Sequence, residues 1–338
     1  MTKTFGRAPA IARCAALGWV GLTLLIAGLA GPVRANEQPF AVWLDGVRQE
    51  ARERGVSEGI LDQALAGVKP IPRIIELDRS QPEFKLKVDE YLSRVVTQGR
   101  IRYGRELLQR HAAILDEVSA QYGVQKRFIV ALWGIETDFG RITGGFPVVD
   151  ALATLAYDGR RSAFFRKELM LALDILEQGH IRPNDMKGSW AGAMGQSQFM
   201  PSSFHNFAID HDRDGDKDIW GSLPDVFGSI ANYLSGSGWR DDLTWGREVS
   251  IPAGFDRALI ESETRKSLPE WQAMGVRRAG GGALPERPVE GRIVEVTQRD
   301  GSSRFFLAYG NFETVLKWNR STYFAIAVGT LADALGAR

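Results

Sequence analysis

The stretch Phe128-Ile-Val-Ala-Leu-Trp-Gly-Ile-Glu-Thr-Asp-Phe-Gly-Arg141 decides the fold of the chain. Its first eight residues, 128–135, carry no charged, hydroxyl or amide side chain. Apolar residues recur there at helical spacing and also fill the other faces, which is typical of a helix in the middle of a domain. The stretch therefore predicts a buried central helix, with Gly140 as its stop signal.

Glu136 lies near the end of this apolar helix. A carboxylate placed there loses water on at least one side, so burial disfavours its charged form and raises its pKa. A carboxylic acid that is still protonated near neutral pH is what a general acid requires. The alternative, open at this point, is a buried glutamate paired with a nearby base such as Arg141.

The first 35 residues have the pattern of a secretory signal peptide. Basic residues precede an apolar run from Ala15 to Ala30, and Val33-Arg34-Ala35 offers a cleavage site. The run is too short and too glycine-rich to favour a membrane-spanning helix, and a retained N-terminal anchor is the alternative. The prediction is a mature chain that begins near Asn36 and is soluble in the periplasm.

Composition narrows the classes of function. The only cysteine, Cys14, precedes the apolar run, so a lipid anchor is disfavoured and the mature chain has no disulfide. Four of the 42 basic residues and none of the 41 acidic residues lie in 1–35, which leaves a mature net charge of −3. This charge gives no indication of nucleic acid as a partner.

The distribution of helix and strand signals predicts a mainly α-helical protein with four regions after the signal peptide 1–35. Residues 36–122 form an N-terminal helical domain, and residues 123–246 form a helical catalytic core. Residues 247–308 are rich in proline and glycine and form a small mixed α/β domain, with a hairpin that turns at Asp300-Gly301. Residues 309–338 are helices that return to the core.

A second informative segment is Gly188-Ser-Trp-Ala-Gly-Ala-Met-Gly-Gln-Ser-Gln-Phe-Met-Pro-Ser-Ser203. Its glycines allow the backbone to approach a ligand closely. Ser189, Gln196 and Gln198 offer neutral donors and acceptors, which suit hydroxyl and acetamido groups better than phosphates. A plain flexible loop is the alternative, although the aromatic and methionine side chains of the segment are costly to leave exposed.

The acidic run Asp210-His-Asp-Arg-Asp-Gly-Asp-Lys-Asp218 matches the opening of an EF-hand calcium loop, with Gly215 at the sharp turn. Position twelve is Gly221 instead of glutamate, so the loop is a variant. The predicted ligands of one structural Ca²⁺ are Asp210, Asp212, Asp214, the backbone carbonyl of Asp216, and the downstream carboxylate of Asp225. A solvated acidic turn without an ion is the alternative.

The sequence offers no evident second catalytic group beside Glu136. Asp138 lies two positions later and points to the far side of a continued helix, so it is poorly placed as a glycosidase partner. Asp150 and Asp158 stay open as partners, and no nucleophile motif is present. What remains is one acid on an apolar helix that faces a groove lined by glycine and amide groups.

Gly134–Arg141, Gly192–Ser203, the acidic run and Ala231-Asn-Tyr-Leu234 together resemble the lytic murein transglycosylase B family, over nearly the whole mature chain. The resemblance implies a lysozyme-like helical core and cleavage of the β-1,4 bond between N-acetylmuramic acid and N-acetylglucosamine in peptidoglycan. It implies 1,6-anhydromuramic ends as product and Glu136 as the single catalytic acid and base. Contacts to sugar, acetamido or peptide groups are implied for Ser189, Gln198, Phe199, Arg160, Arg161, Tyr233 and Asn319.

Tyr323 joins these residues as a candidate for sugar stacking, although a single aromatic ring is more often part of a core. Phe164 and Phe324 stand where the family pattern has tyrosine, so the resemblance carries no hydroxyl contact to them. The expected partners are peptidoglycan glycan strands and enzymes of cell-wall synthesis or hydrolysis, with no nucleic acid and no stable membrane anchor. Two alternatives stay open: a muramidase- or chitinase-like hydrolase of the same fold, and a non-catalytic peptidoglycan-binding protein.

Overall fold

Helices dominate the computed structural model of the chain, which describes residues 38–80 and 86–337. The predicted signal peptide, residues 1–35, lies outside the described residues. The helices are α1 Phe40–Glu53, α2 Glu58–Leu65, α3 Pro72–Ser80, α4 Val88–Val95, α5 Gln98–Arg110, α6 Ala112–Tyr122, α7 Lys126–Thr137, α8 Val148–Asp158, α9 Ser162–Glu177, α10 Pro201–Phe207, α11 Leu223–Gly236, α12 Ala258–Glu261, α13 Leu268–Ala273, α14 Gly310–Trp318 and α15 Thr322–Gly336.

The strands form two antiparallel sheets. They are β1 Phe146–Pro147, β2 Lys187–Gly188, β3 Gly246–Ser250, β4 Lys266–Ser267, β5 Arg277–Arg278, β6 Glu290–Thr297 and β7 Ser303–Ala308. β1 pairs with β2, and the other five follow the order β4-β6-β7-β3-β5. The β6–β7 hairpin turns through Asp300 and Gly301 as predicted, with Thr297 opposite Ser303. The predicted mainly α fold with a small mixed α/β region is confirmed.

The apolar stretch at residues 128–135 forms α7, the predicted central helix. It packs against α5, α6, α11 and α15, and its residues from Phe128 to Gly134 are buried. The helix ends at Thr137, earlier than the predicted stop at Gly140, because Asp138 and Phe139 already adopt left-handed backbone angles of φ 52° and 61°. A Cβ atom on Gly134 would lie 2.6 Å from the Phe139 ring, so this glycine leaves room for the ring to fold back under the helix.

Three hydrophobic clusters hold the described residues together. The first surrounds α7 and includes residues of α4–α6, α11, the sheet and α15; the second joins α1–α3 to α8–α10. The third spans residues 249–309 and contains Trp271 between the sheet and its short helices. The predicted N-terminal helical domain, 36–122, is thus divided: α1–α3 and α4–α6 pack on different clusters. The predicted domain boundaries themselves stay predictions.

None of the helices in the described ranges combines the length and the apolar character needed to cross a membrane.

Candidate active site

Glu136 is the second-last residue of the apolar helix α7. Its side chain is half-buried, and Trp318 Nε1 donates a hydrogen bond of 2.7 Å to its Oε1. Burial raises the pKa of Glu136 to about 7 because the charged form loses water, and the bond from Trp318 acts in the opposite direction. Close to neutral pH this carboxyl group therefore exchanges readily between its protonated and ionised forms.

The ion pairs next to Glu136 belong to other residues. Arg141 binds Asp138 at 2.5 Å, and Arg100 Nε binds the other oxygen of Asp138 at 3.1 Å. The alternative in which Glu136 pairs with Arg141 is therefore wrong: after the left-handed turn the arginine faces Asp138. Asp158, considered above as a second carboxylate, is bound by Arg79 at 3.0 Å. Within the described ranges no ion pair involves Glu136.

Trp318 is fixed by an aromatic cluster behind it. The Tyr233 and Phe199 rings lie 4.6 and 5.2 Å from the Trp318 ring, and the Tyr233 hydroxyl donates to the Lys317 carbonyl at 2.7 Å. Phe199 is 2% exposed and Tyr233 9% exposed. These two side chains therefore pack against Trp318 and support it. Their direct contact with a ligand stays a prediction.

The hydrogen bond between Trp318 and Glu136 is a contact that the sequence did not predict. Trp318 lies 182 residues after Glu136 along the chain, at the end of α14. As one of many aromatic residues in the sequence, it gives no indication of a hydrogen bond to α7.

The glycine-rich segment folds into a tight loop that is closed by bridges from Met194 to Gly188 and Phe199. The loop contacts the end of α7 through Gln196. Ser189 Oγ accepts hydrogen bonds from the backbone N–H of Ala193 at 3.0 Å and of Ala191 at 3.3 Å. The hydroxyl is thereby oriented and keeps its own hydrogen for donation. Its position in this loop is consistent with the predicted role.

The two glutamines of the loop differ in what they leave for a ligand. Gln198 donates from Nε2 to the Thr143 and Gly195 carbonyls at 3.0 and 2.9 Å, which leaves its Oε1 as an acceptor. Gln196 uses both ends of its carboxamide inside the protein: it accepts from Trp133 Nε1 at 2.8 Å and donates to the Trp220 carbonyl at 2.9 Å. The expectation that Gln196 offers free polar groups is therefore wrong.

Arg160 and Arg161 lie just before α9 and share one buried carboxylate. Asp78 of α3, which is 2% exposed, binds Arg160 Nε at 2.9 Å and Arg161 at 2.6 Å. The arginine side chains are 47% and 43% exposed, so the cluster presents two cations over one anion and fits an anionic group. Asp78 was not found from the sequence because it lies on a different helix. Phe164, one turn into α9, is exposed.

A cavity of about 600 Å³ opens at the start of α15 and includes Asn319 and Tyr323 in its lining. Tyr91 of α4 lines the same cavity, and its ring lies 6.1 Å from that of Tyr323. The structure therefore brings two predicted residues together with one, Tyr91, that the sequence analysis missed. Phe324 also contributes to the wall of this cavity, although the residue is largely buried.

The acidic loop, residues 210–218, carries the predicted metal ligands. Oxygen atoms of Asp210, Asp212 and Asp214 all lie within 4.8 Å of one another, and Gly215 has φ +109° at the turn. Oxygen donors in this arrangement fit a hard cation such as Ca²⁺.

Asp225, the predicted downstream ligand, lies outside the group of three carboxylates. It is fully buried, and its two oxygens accept the backbone N–H groups of His211 at 2.6 Å and Asp218 at 2.7 Å. Its carboxylate thus shapes the loop, and its role as a ligand stays a prediction. The side chain of Asp216 also lies outside that group, 3.8 Å from His180, and the use of its carbonyl stays a prediction.

Comparison with known proteins finds relatives along nearly the whole chain. Residues 39–333 match the family described as Transglycosylase SLT domain. The chain is 29% identical over 301 residues to membrane-bound lytic murein transglycosylase B of Escherichia coli (strain K12), covering 84% of this chain and 79% of that protein.

Solved structures agree. SltB3 from Pseudomonas aeruginosa in complex with NAG-NAM-pentapeptide has a TM-score of 0.85 and 45% identity, over 89% of this chain and 80% of that chain. The Escherichia coli lytic transglycosylase Slt35 in complex with calcium has a TM-score of 0.73 and 27% identity, over 88% and 93% of the two chains. These likenesses confirm the predicted lysozyme-like fold.

Proposed function

The chain belongs to the transglycosylase SLT domain family and is a lytic transglycosylase of peptidoglycan glycan strands, and within this activity we propose that Glu136 is the single catalytic acid and base. The bond cleaved is the β-1,4 linkage between N-acetylmuramic acid and N-acetylglucosamine. The observation that carries the proposal is the setting of Glu136: a half-buried carboxyl group with a pKa of about 7 and one neutral donor, Trp318.

In the first step protonated Glu136 gives its proton to the glycosidic oxygen as the bond from that oxygen to C1 of muramic acid breaks. Positive charge develops at C1 and the ring oxygen. Asp138 and Asp158 are held by arginines, and we assign the role of stabilising nucleophile to the 2-acetamido group of the substrate itself, with Asp150 as the remaining alternative. We assign the holding of that acetamido group to Ser189 and Gln198, which is supported by the available hydroxyl hydrogen of Ser189 and the acceptor Oε1 of Gln198.

In the second step the C6 hydroxyl of the muramic residue attacks C1 and gives its proton to ionised Glu136. This closes the 1,6-anhydro ring and restores the acid for the next cycle. A tethered and well-oriented hydroxyl acts at an effective molarity of about 10⁵ M or more, which favours it over water. Between the steps the N–H of Trp318 stabilises the Glu136 carboxylate, since a hydrogen bond to the charged form favours that form.

Two further contacts belong to this proposal. The Arg160–Arg161 pair, with its excess positive charge, binds carboxylates of the stem peptide. The cavity lined by Asn319 and Tyr323 accepts a sugar ring, with the tyrosine face as its stacking surface. Phe199 and Tyr233 contribute to the site around Glu136 by supporting Trp318.

A structural Ca²⁺ in the acidic loop is also proposed, held by Asp210, Asp212, Asp214, the carbonyl of Asp216 and the downstream carboxylate of Asp225. The converging oxygens of the first three support it, and the relative Slt35 has been solved in complex with calcium. The ion would neutralise the loop and stabilise the fold, and no catalytic step uses it.

Action on peptidoglycan places the protein outside the cytoplasm. We propose the periplasm, reached through the signal peptide of residues 1–35. Enzymes of cell-wall synthesis or hydrolysis stay candidate partners.

Mass analysis of purified peptidoglycan after digestion tests the mechanism. The expected products end in 1,6-anhydromuramic acid, one water lighter than reducing ends, and the Glu136→Gln variant should release them roughly 10³-fold more slowly. Reducing muramic ends from the wild-type protein would make it a muramidase-like hydrolase and would contradict the proposed second step.

A further inference from the structure

Gln196 makes four hydrogen bonds that join three parts of the molecule. Its Oε1 accepts from Trp133 Nε1 at 2.8 Å, and its carbonyl accepts from the Thr137 hydroxyl at 3.0 Å. Its backbone N–H donates to the Ile219 carbonyl at 2.8 Å, and Nε2 donates to the Trp220 carbonyl at 2.9 Å. One residue of the glycine-rich loop thus binds both the end of α7 and the end of the acidic loop.

The carboxamide occupies a space that the chain keeps open for it. A Cβ atom on Gly140 would lie 2.2 Å from Gln196 Oε1, and this glycine has φ +79°. Its backbone N–H donates to the Thr137 hydroxyl at 3.0 Å, so the turn after α7 closes around Gln196. Any larger residue at position 140 would therefore displace the Gln196 carboxamide.

The bonds of Gln196 fall on both sides of Glu136 along α7. Trp133 lies almost one turn before Glu136, and Thr137 follows it directly. Fixing these two residues fixes the rotation of the last helical turn about its axis, and hence the direction of the Glu136 side chain toward Trp318.

We propose that Gln196 is a positioning residue for Glu136, which ties the last turn of the catalytic helix to the end of the acidic loop. The proposal rests on the proposed role of Glu136. Gln196 touches no reacting atom, because both ends of its side chain are engaged by the protein. Its loss displaces the acid without removing it.

The chain offers a matched control at the other end of the same helix. Gln125 precedes α7, accepts from Trp239 Nε1 at 3.0 Å and donates to the Leu243 carbonyl at 3.1 Å and to the Asp241 carbonyl. It therefore makes the same kinds of bond as Gln196, and it lies eleven residues from Glu136. If the only effect of losing a glutamine were a general loosening of α7, the loss of Gln125 and the loss of Gln196 should have the same consequences.

The experiment compares Gln196→Met with Gln125→Met, with kcat, KM and melting temperature measured on purified peptidoglycan. Both variants should lose some thermal stability. Only Gln196→Met should lose kcat, by on the order of 10²-fold with KM nearly unchanged, because misplacement of a catalytic group by about 1 Å has an effect of that size. The pH at which its activity falls should also move, since the contact of Glu136 with Trp318 is altered.

Trp133→Phe removes the N–H that Gln196 accepts and provides a second route if Gln196→Met fails to fold. It should lower kcat in the same direction, and the double variant should lose less than the product of the two single losses. Unchanged kcat in Gln196→Met or in Trp133→Phe, or an equal loss of kcat in Gln125→Met, would overturn the proposal. An active Glu136→Gln would instead remove the proposed function, whatever Gln196 does.

Discussion

Around Glu136 a single carboxyl group lies among uncharged partners, whereas the acidic loop gathers three carboxylates whose oxygens lie within 4.8 Å of one another. The first arrangement raises a pKa by burial and keeps a proton available for transfer. The second leaves its charges largely exposed, so that a bound cation would relieve their repulsion. The two regions teach that the same functional group acquires different properties according to how much water and how much neighbouring charge surrounds it.

The largest effect expected from this comparison is on turnover. Glu136→Gln keeps the shape of the side chain and its bond from Trp318 but removes the transferable proton. Activity should fall roughly 10³-fold, within the range for loss of a general acid–base group. Release of soluble fragments from peptidoglycan measures it, and Glu106→Gln, an exposed glutamate on α5, is the control that should stay active. Comparable turnover by Glu136→Gln and Glu106→Gln would show that Glu136 behaves as an ordinary carboxylate and is not the catalytic acid.

The acidic loop should respond in stability instead of turnover. At a hundredfold excess over its dissociation constant, a cation that binds only the folded form stabilises by about 2.7 kcal/mol. Asp212→Asn combined with Asp214→Asn should abolish the rise in melting temperature that calcium gives the wild type. Asp241→Asn, an exposed carboxylate outside the loop, should retain it. A wild-type melting temperature that is the same with calcium and with chelator would show the loop to be merely acidic.

Substitution of Trp318 tests how the uncharged surroundings of Glu136 set its pKa. In the proposed mechanism Glu136 must be protonated to act, so wild-type kcat/KM should fall as the pH rises through about 7. The Trp318 N–H favours the carboxylate, so Trp318→Phe should raise the pKa of Glu136 further and move this fall to higher pH. Maximal activity should drop about tenfold, as expected for loss of one hydrogen bond to a charged group.

The control for Trp318→Phe is Trp239→Phe, which removes a comparable indole N–H bonded to Gln125. Its pH profile should match that of the wild type. An identical profile for Trp318→Phe would mean that the indole packs beside Glu136 without tuning it.

The same two regions differ in how far the sequence predicts them. The acidic loop is local: Asp210, Asp212 and Asp214 follow a known spacing, so their convergence follows from neighbouring residues alone. The hydrogen bonds from two backbone N–H groups to Asp225 could not be predicted from the sequence, because they depend on how the loop folds back onto α11. The buried setting of Glu136 could be predicted because the apolar pattern around it is also local.

The partners of the catalytic region come from distant parts of the chain, and this explains what was missed. Trp318 reaches Glu136 from α14, Asp78 reaches Arg161 from α3, and Tyr91 lies beside Tyr323 from α4. No periodicity in the sequence indicates such contacts between distant helices. The fold was predicted better than the site, since burial of α7 depends on its own composition. The early end of α7 was missed because left-handed geometry at Asp138 and Phe139 depends on where the Phe139 ring packs.

The smallest predicted effect is on stability. Substitution of Glu136 should raise the stability of the fold at alkaline pH, the opposite of the loss that substitutions usually cause. A glutamate whose pKa is raised on folding stabilises the folded state below its unfolded pKa, near 4.5, and loses that contribution as the pH rises through about 7. Glu136→Gln carries no charge, so it should be more stable than the wild type at pH 8 and equally stable at pH 4. The gain is on the order of 1 kcal/mol, because one pKa unit is about 1.4 kcal/mol and Glu136 keeps partial contact with solvent. Urea unfolding at the two pH values measures it, with Glu106→Gln expected to show no pH-dependent difference. If Glu136→Gln were less stable than the wild type at pH 8, the ionised carboxylate would be well solvated, and the contrast with the acidic loop would be lost.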